Sequence, residues 1–405
     1  MDLNADPLSR LPFLNGVYIA VDAVPGAFLV VDGPYCVFTK AEMQYGHNLA
    51  CRLIPPLGRA AVVHTAARTG MEEVTSLSSD RVPAVAEVFR RVCAYPEAEV
   101  VFAASFDFHE LLNFPLAETA RAAGKASGRL VCPLPPSSLS GSWLDGYAAA
   151  CAALAREVPL ARGRGRKDTV GVVGYLFDRD EPDHRGNLAE LRRLFSGLGL
   201  KLAPVWLSGS GLSRLAAIES ASLIVSLPYG RSAARTLGRR LKARVVEAGL
   251  PLGLTATEDF VRTVASAAGW SRGVDRFLER EAASAVRDTR EHVTRVICGR
   301  TAVLLLPDPH LARALAGLAE DLGLRTAAAG TPDPETEGAP LLIGPRRRGA
   351  GPGIVISFGY PNYEDHPVVA RPFLGYAGFR SLVETLTERI LAYEAGTESR
   401  AEARR

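Results

Sequence analysis

Cys36 closes the segment Asp32-Gly33-Pro34-Tyr35-Cys36, directly after the apolar run Ala27-Phe28-Leu29-Val30-Val31. A short apolar run ended by Gly-Pro reads as a buried strand followed by a tight turn. The thiol therefore stands on a loop held by a rigid element. A thiolate placed this way suits a soft metal; the competing reading of a lone cysteine is a small core residue. His47 and Cys51 have the spacing that puts two side chains on one helix face, and they read either as a metal-binding pair or as ordinary packing. The six cysteines, at 36, 51, 93, 132, 151 and 298, form no Cys-x-x-Cys and no dense framework. Reduced thiols in a cytoplasmic protein are the simplest reading.

The elements that must position such residues are repeated strand-then-helix units. Val100–Ala104 reads as a strand followed by a helical pattern over Leu116–Ala123. Thr169–Gly174 reads as a strand, Leu188–Phe195 as an amphipathic helix ending at the glycines 197 and 199, and Lys201–Val205 and Ser222–Leu227 as further strands. The pattern restarts with strands at Thr301–Leu306, Pro340–Ile343 and Gly353–Phe358, and a helix over His310–Leu322. Such alternation argues for parallel, doubly wound α/β sheets. The Arg/Gly-rich stretch 162–167 and the charged helical stretch Val274–Ile297 mark two boundaries, giving blocks 1–165, 166–290 and 291–405. Ligands of open α/β sheets bind at the carboxyl ends of the strands. The default site is thus a cleft among the three blocks.

Composition narrows the partners. Apolar residues make up 47% and charged residues 22%, with a net charge of +3, ordinary for a globular protein and too weakly basic to argue for nucleic acid. The runs Arg162–Lys167 and Arg346–Arg348 read as solvated linker and loop. No stretch is long and apolar enough for a membrane span, and the polar start Met1–Asp6 lacks a secretory leader pattern. The chain has no Gly-x-x-x-x-Gly-Lys-Ser/Thr, so no P-loop site for ATP, and neither Gly163-Arg164-Gly165 nor Gly209-Ser210-Gly211 has the strand-to-helix context of a nicotinamide fingerprint. Gly-x-Ser-x-Gly and His-Glu-x-x-His are also missing.

Several segments, taken in order, carry a resemblance. Val17–Cys36 looks like an apolar strand leading into a "hGPxGC" turn, and Ala98–Asn113 like a strand and a cluster-ligand turn. Leu139–Tyr147 resembles "fxGsxxxGyd", and Val170–Leu200 the strand and helix that open a second domain. Gly249–Thr257 resembles "giPxGxxxT", and Phe358–Pro361 with Leu374–Gly378 resembles "fGfP … GYxG". In this order the segments resemble the component 1 family of nitrogenase-like oxidoreductases, which includes nitrogenase molybdenum–iron protein subunits, catalytic subunits of dark-operative protochlorophyllide reductase and cofactor-assembly scaffolds.

The resemblance implies three Rossmann-like doubly wound domains around a central cleft. It implies a non-nucleotide-binding subunit that takes electrons from a separate P-loop, ATP-dependent iron–sulfur reductase, through an iron–sulfur cluster shared with a second component 1-like subunit, to a small-molecule substrate in the cleft. A four-iron, four-sulfur cluster is expected, with no ATP or NAD site, nucleic acid or membrane partner on this chain. Of the family's three cluster cysteines the middle one maps to Cys36. The first would fall near Leu11, which is no cysteine, and the third lands on Asp107 in Ser105-Phe106-Asp107-Phe108-His109-Glu110. Asp107 is thus either an oxygen ligand or the cap of the following turn. Cys51 and Cys93 are further thiols of the first block. In Asn362–His366, where the family lines its cleft, His366 is a candidate proton donor or ligand, or a surface histidine. A scaffold subunit for metallocofactor assembly would use the same fold and thiol. Outside the family, a small-molecule-binding or glycosyltransferase-like α/β protein has the same alternation.

Overall fold

The computed structural model describes residues 12–34, 36–37, 62–66, 80–161, 165–177, 181–270, 272–327, 339–345, 353–360 and 367–402. Three four-stranded sheets, each flanked by helices, follow one another along the chain. The first contains β1 (Ala27–Asp32), β2 (Val62–His64), β3 (Val100–Ser105) and β4 (Leu130–Pro133), in the order β2-β1-β3-β4. The second contains β5 (Arg166–Val173), β6 (Lys201–Val205), β7 (Ala221–Ser226) and β8 (Arg244–Glu247), in the order β6-β5-β7-β8. The third contains β9 (Thr301–Leu304), β10 (Arg325–Ala327), β11 (Leu341–Gly344) and β12 (Ile354–Ser357), in the order β10-β9-β11-β12. The neighbouring strands of the first and third sheets, and the β5-β7 and β7-β8 pairs, run parallel. The α/β architecture expected from the sequence is therefore present three times.

The chain divides into two compact units, one made of Arg10–Asp180 and Leu202–Glu247, the other of Met1–Ser9, Glu181–Lys201 and Ala248–Arg405. In the first unit β1 and β3 are buried along nearly their whole length, as strands covered on both faces must be. The side chains of Val85, Phe89, Val92 and Cys93 from the helix Val82–Ala94 pack with Val30, Val101 and Ala103. The helix Phe13–Asp22 is buried on almost all sides, so its apolar run has no visible period. The strand read at Ala27–Val31 is β1, and the start of the Val17–Cys36 segment belongs to this helix.

The second unit explains two of the sequence segments as backbone devices. Gly253 has φ 93° and begins the helix Leu254–Ala268. A Cβ there would lie 2.5 Å from Asp321 Oδ2. That carboxylate accepts hydrogen bonds from Leu254 N (2.6 Å), Thr255 N (3.2 Å) and Thr255 Oγ1 (2.6 Å), capping the helix from a neighbouring one. Gly375 N donates to Pro251 O at 2.6 Å, and Asn187 Oδ1 accepts from Phe373 N and Leu374 N. The Gly249–Thr257 and Leu374–Gly378 segments thus hold the starts of the helices Leu254–Ala268 and Gly375–Glu402.

Candidate metal centre

Adjacent parallel strands deliver their following loops to the same sheet edge. Asp32, the last residue of β1, pairs in register with Ser105, the last of β3. Cys36 follows the first and Asp107 the second. Phe106 N donates to Asp32 O at 2.9 Å, continuing the ladder into the two loops. Gly33 permits that approach, because a Cβ there would sit 2.6 Å from Phe106 Cβ. Cys36 is exposed and, with Val37, is helical rather than on the loop expected from the sequence, with Val37 N closing the turn onto Pro34 O at 3.1 Å.

Tyr18, 1% exposed, feels the charge of both candidate ligands. Its hydroxyl donates to Val37 O at 3.2 Å, pinning the Cys36 loop. Burial pushes the phenol well above its ordinary pKa, and negative charge on Cys36 and on Asp107 pushes it further. Both candidate ligands therefore act on one buried hydroxyl. The phenol stays protonated, so it is a donor to the loop and not a phenolate ligand. Tyr18 is itself placed by a glycine crossing. A Cβ on Gly16 would lie 1.6 Å from Trp143 O, and one on Gly146 would lie 1.9 Å from Phe13 O. The helices Phe13–Asp22 and Trp143–Glu157 thus touch backbone to backbone. Ser142 and Asp145 close a reciprocal capping box at the start of the second helix. The Leu139–Tyr147 segment is a positioning device for the Tyr18 helix.

Asp107 opens a 3₁₀ turn, Asp107–Leu112, whose cap residue is Phe106 with no side-chain cap bond. The half-buried Asp107 carboxylate makes no hydrogen bond among the described residues. Glu110 is the tie of this turn: Oε1 accepts from Ser138 N at 2.6 Å and Oε2 from Leu139 N at 3.3 Å. Around it Phe108, Leu111, Leu112 and Leu139 are 44%, 73%, 40% and 52% exposed. This apolar rim beside the two loops has the character of a surface meant to be covered.

Sequence reasoning missed what lies beneath. Asp32 is fully buried and accepts from Thr65 Oγ1 at 2.6 Å and from both terminal nitrogens of Arg81. His109, 1% exposed, brings Nδ1 to 3.5 Å from Asp32 Oδ2. Burial alone would raise the Asp32 carboxyl, but His109, the Arg81 bonds and charge, and Thr65 together hold it below the ordinary range. The only sequence signal for this is an acid ending a buried strand.

The other thiols separate from this site. Cys93 packs in the first-sheet core. Burial drives the Cys132 thiol far up and the Cys151 thiol to about 12, so both are packing residues and poor ligands. Cys298 is exposed but belongs to the other compact unit. His47, Cys51 and His366 lie outside the described residues. Among the described residues no group of three or more metal-ligating side chains gathers, and no helix is long and apolar enough to cross a membrane.

A family profile for nitrogenase component 1 type oxidoreductases matches residues 53–342, a span that includes Asp107 and starts after Cys36. The structure of nitrogenase Cp1 at pH 6.5 is similar over 97% of this chain and 94% of that chain, with 17% identity and a TM-score of 0.76. The structure of nitrogenase Cp1 at pH 5 is similar over 94% and 88%, with 13% identity and a TM-score of 0.67. These two likenesses are of fold. No curated protein sequence matches.

Proposed function

Because the chain belongs to the nitrogenase component 1 type oxidoreductase family, we propose that it is the non-nucleotide-binding subunit of a nitrogenase-like reductase complex, with Cys36 and Asp107 as its contribution to an iron–sulfur cluster shared with a second component 1-like subunit. The observation that carries this reading is the convergence of the Cys36 and Asp107 loops at one sheet edge, where both charges act on Tyr18. A thiolate and a carboxylate fit two positions of a four-iron, four-sulfur cluster, since thiolates are the ordinary ligands of such clusters and oxygen donors bind the same metal when thiolates are lacking. The exposed rim of Phe108, Leu111, Leu112 and Leu139 supports a partner subunit that supplies the remaining ligands. When bound, the cluster would supply one-electron relay from an ATP-dependent iron–sulfur reductase toward a small-molecule substrate. The chain's own residues hold the two donors: Tyr18 and Gly33 fix the first loop, Glu110 fixes the second.

Membership of the family sets aside the small-molecule-binding and glycosyltransferase-like readings. The test is anaerobic co-expression with a cysteine-richer homologue of the family. A brown heteromer containing iron is expected. An iron-free monomer with each such homologue of the same genome would refute the proposal.

A further inference from the structure

Three side chains from three separate segments meet on the carboxylate of Asp32. Asp32 ends β1, Thr65 follows β2, Arg81 precedes the helix Val82–Ala94, and His109 lies in the 3₁₀ turn after β3. Thr65 Oγ1 donates to Asp32 and accepts from Gly33 N at 3.3 Å, so the cluster grips the backbone of the Cys36 loop directly. His109 Nδ1, at 3.5 Å from the same carboxylate, brings in the turn that begins with Asp107. The side chains of Asp32 and Arg81 are 0% and 11% exposed. Burying an ion pair seldom improves stability over an apolar filling, and its best-attested use is to fix one register among alternatives. Neither ring nitrogen of His109 completes a hydrogen bond with a described residue, so the ring meets Asp32 as a 3.5 Å contact of Nδ1 with the carboxylate.

We propose that Asp32, Thr65, Arg81 and His109 form the positioning element of the ligand site, setting the Cys36 loop and the Asp107 turn relative to each other. The assignment of Cys36 and Asp107 as ligands is the reading this inference rests on. The chain is short on both sides: Cys36 follows Asp32, and Asp107 precedes His109, with only a few bonds between. A shift of the carboxylate's partners is therefore carried to both donors. Arg81 acts through Asp32, and Thr65 acts through Asp32 and the Gly33 backbone.

The experiment has one arm without iron and one with it. In the full-length, iron-free chain, the rate of iodoacetamide alkylation is followed at each cysteine by peptide mass spectrometry. Thr65→Val keeps the shape and removes the hydroxyl, and should speed Cys36 alkylation about tenfold, the effect of one ordinary buried hydrogen bond. Thr65→Ser keeps the hydroxyl and should react as the native chain does. Cys298, in the other compact unit, should be unaffected in both. Should Thr65→Val prove insoluble, Asp32→Asn carries the same test. An unchanged Cys36 rate in a folded Thr65→Val or Asp32→Asn protein overturns the positioning role. In the iron-loaded heteromer, Thr65→Val should retain iron but broaden the paramagnetic spectrum and move the midpoint potential, with Thr65→Ser restoring both. Native spectrum and potential in Thr65→Val also overturn it. A heteromer that holds no iron in any version sinks the cluster reading instead, while the alkylation rates still decide whether these four side chains set the loops.

Discussion

Adding one methyl group at either of two glycines should give effects of opposite sign. At Gly16 a Cβ would meet Trp143 O at 1.6 Å, Trp143 C at 2.6 Å and Tyr147 N at 2.7 Å. These are backbone atoms of the helix Trp143–Glu157, so no side chain can swing aside. Normal contact requires the two helices to part by well over an ångström. Overpacking of a buried contact costs about 1–3 kcal/mol and more where backbone must move, against a gain of roughly 0.5–1 kcal/mol from replacing glycine within a helix. Gly16→Ala should therefore destabilise its unit by about 1–3 kcal/mol. Gly317, inside the helix Pro309–Asp321, has nothing within 4 Å of the added Cβ. Gly317→Ala should stabilise by roughly 0.5–1 kcal/mol. Denaturant unfolding followed by fluorescence separates the units, since buried Trp143 and Trp206 lie in the first and Trp270 in the second. Because Tyr18 rides on the Gly16 helix, Gly16→Ala should also raise Cys36 reactivity toward alkylation. Equal, stabilising effects at both glycines would refute the backbone crossing and the placement of Tyr18 derived from it.

Asp321→Ala removes three bonds at the start of the helix Leu254–Ala268 and should lower stability by about 0.5–2 kcal/mol, measured as a thermal midpoint. The Asp32 carboxyl is held below its ordinary range, so its contribution is full above the unfolded-state value of about 4 and is lost as pH falls through the lower folded value. The stability gap between native chain and Asp32→Asn should accordingly be wide at neutral pH and shrink in acid; a gap independent of pH would count against the buried ion pair. His184 is buried, and burial lowers its pKa, so the unfolded chain takes up the proton first and stability falls as pH drops below about 6.5; His184→Gln should flatten that slope. Asp107→Cys should keep the cluster and lower its potential, because a thiolate donates more charge to iron than a carboxylate, while Asp107→Ala should lose iron. Native iron content and potential in both would remove Asp107 from the ligand set.

The strands that carry the sheets were readable because parallel strands buried on both faces are short, continuous apolar runs. The run before Gly33-Pro34 is β1, and Val100–Ala104 lies within β3. The four-residue β9, β11 and β12 were read from their apolar runs, whereas β8 and β10 are mostly exposed or half-buried and carry charged residues, so they leave no such run. The helix Phe13–Asp22 was hidden for the opposite reason, since a segment buried all round shows neither helical nor strand period. The sequence placed Cys36 and Asp107 just beyond two strands, but not the short helical turns that hold them or their shared influence on Tyr18, which depends on the register of β1 with β3 and on a glycine crossing between helices far apart in sequence. The Asp32 cluster was illegible because its four members come from four elements, and a single acid, threonine, arginine or histidine is ordinary in any of them.

The most direct test of the central claim is the iron content and paramagnetic spectrum of the anaerobically purified heteromer with Cys36→Ala, set beside the native chain and Cys298→Ala. Cys36→Ala alone should lose the cluster while its fold, measured by circular dichroism and thermal midpoint, stays close to native, because the thiol is exposed. Native iron content and spectrum in Cys36→Ala would contradict it.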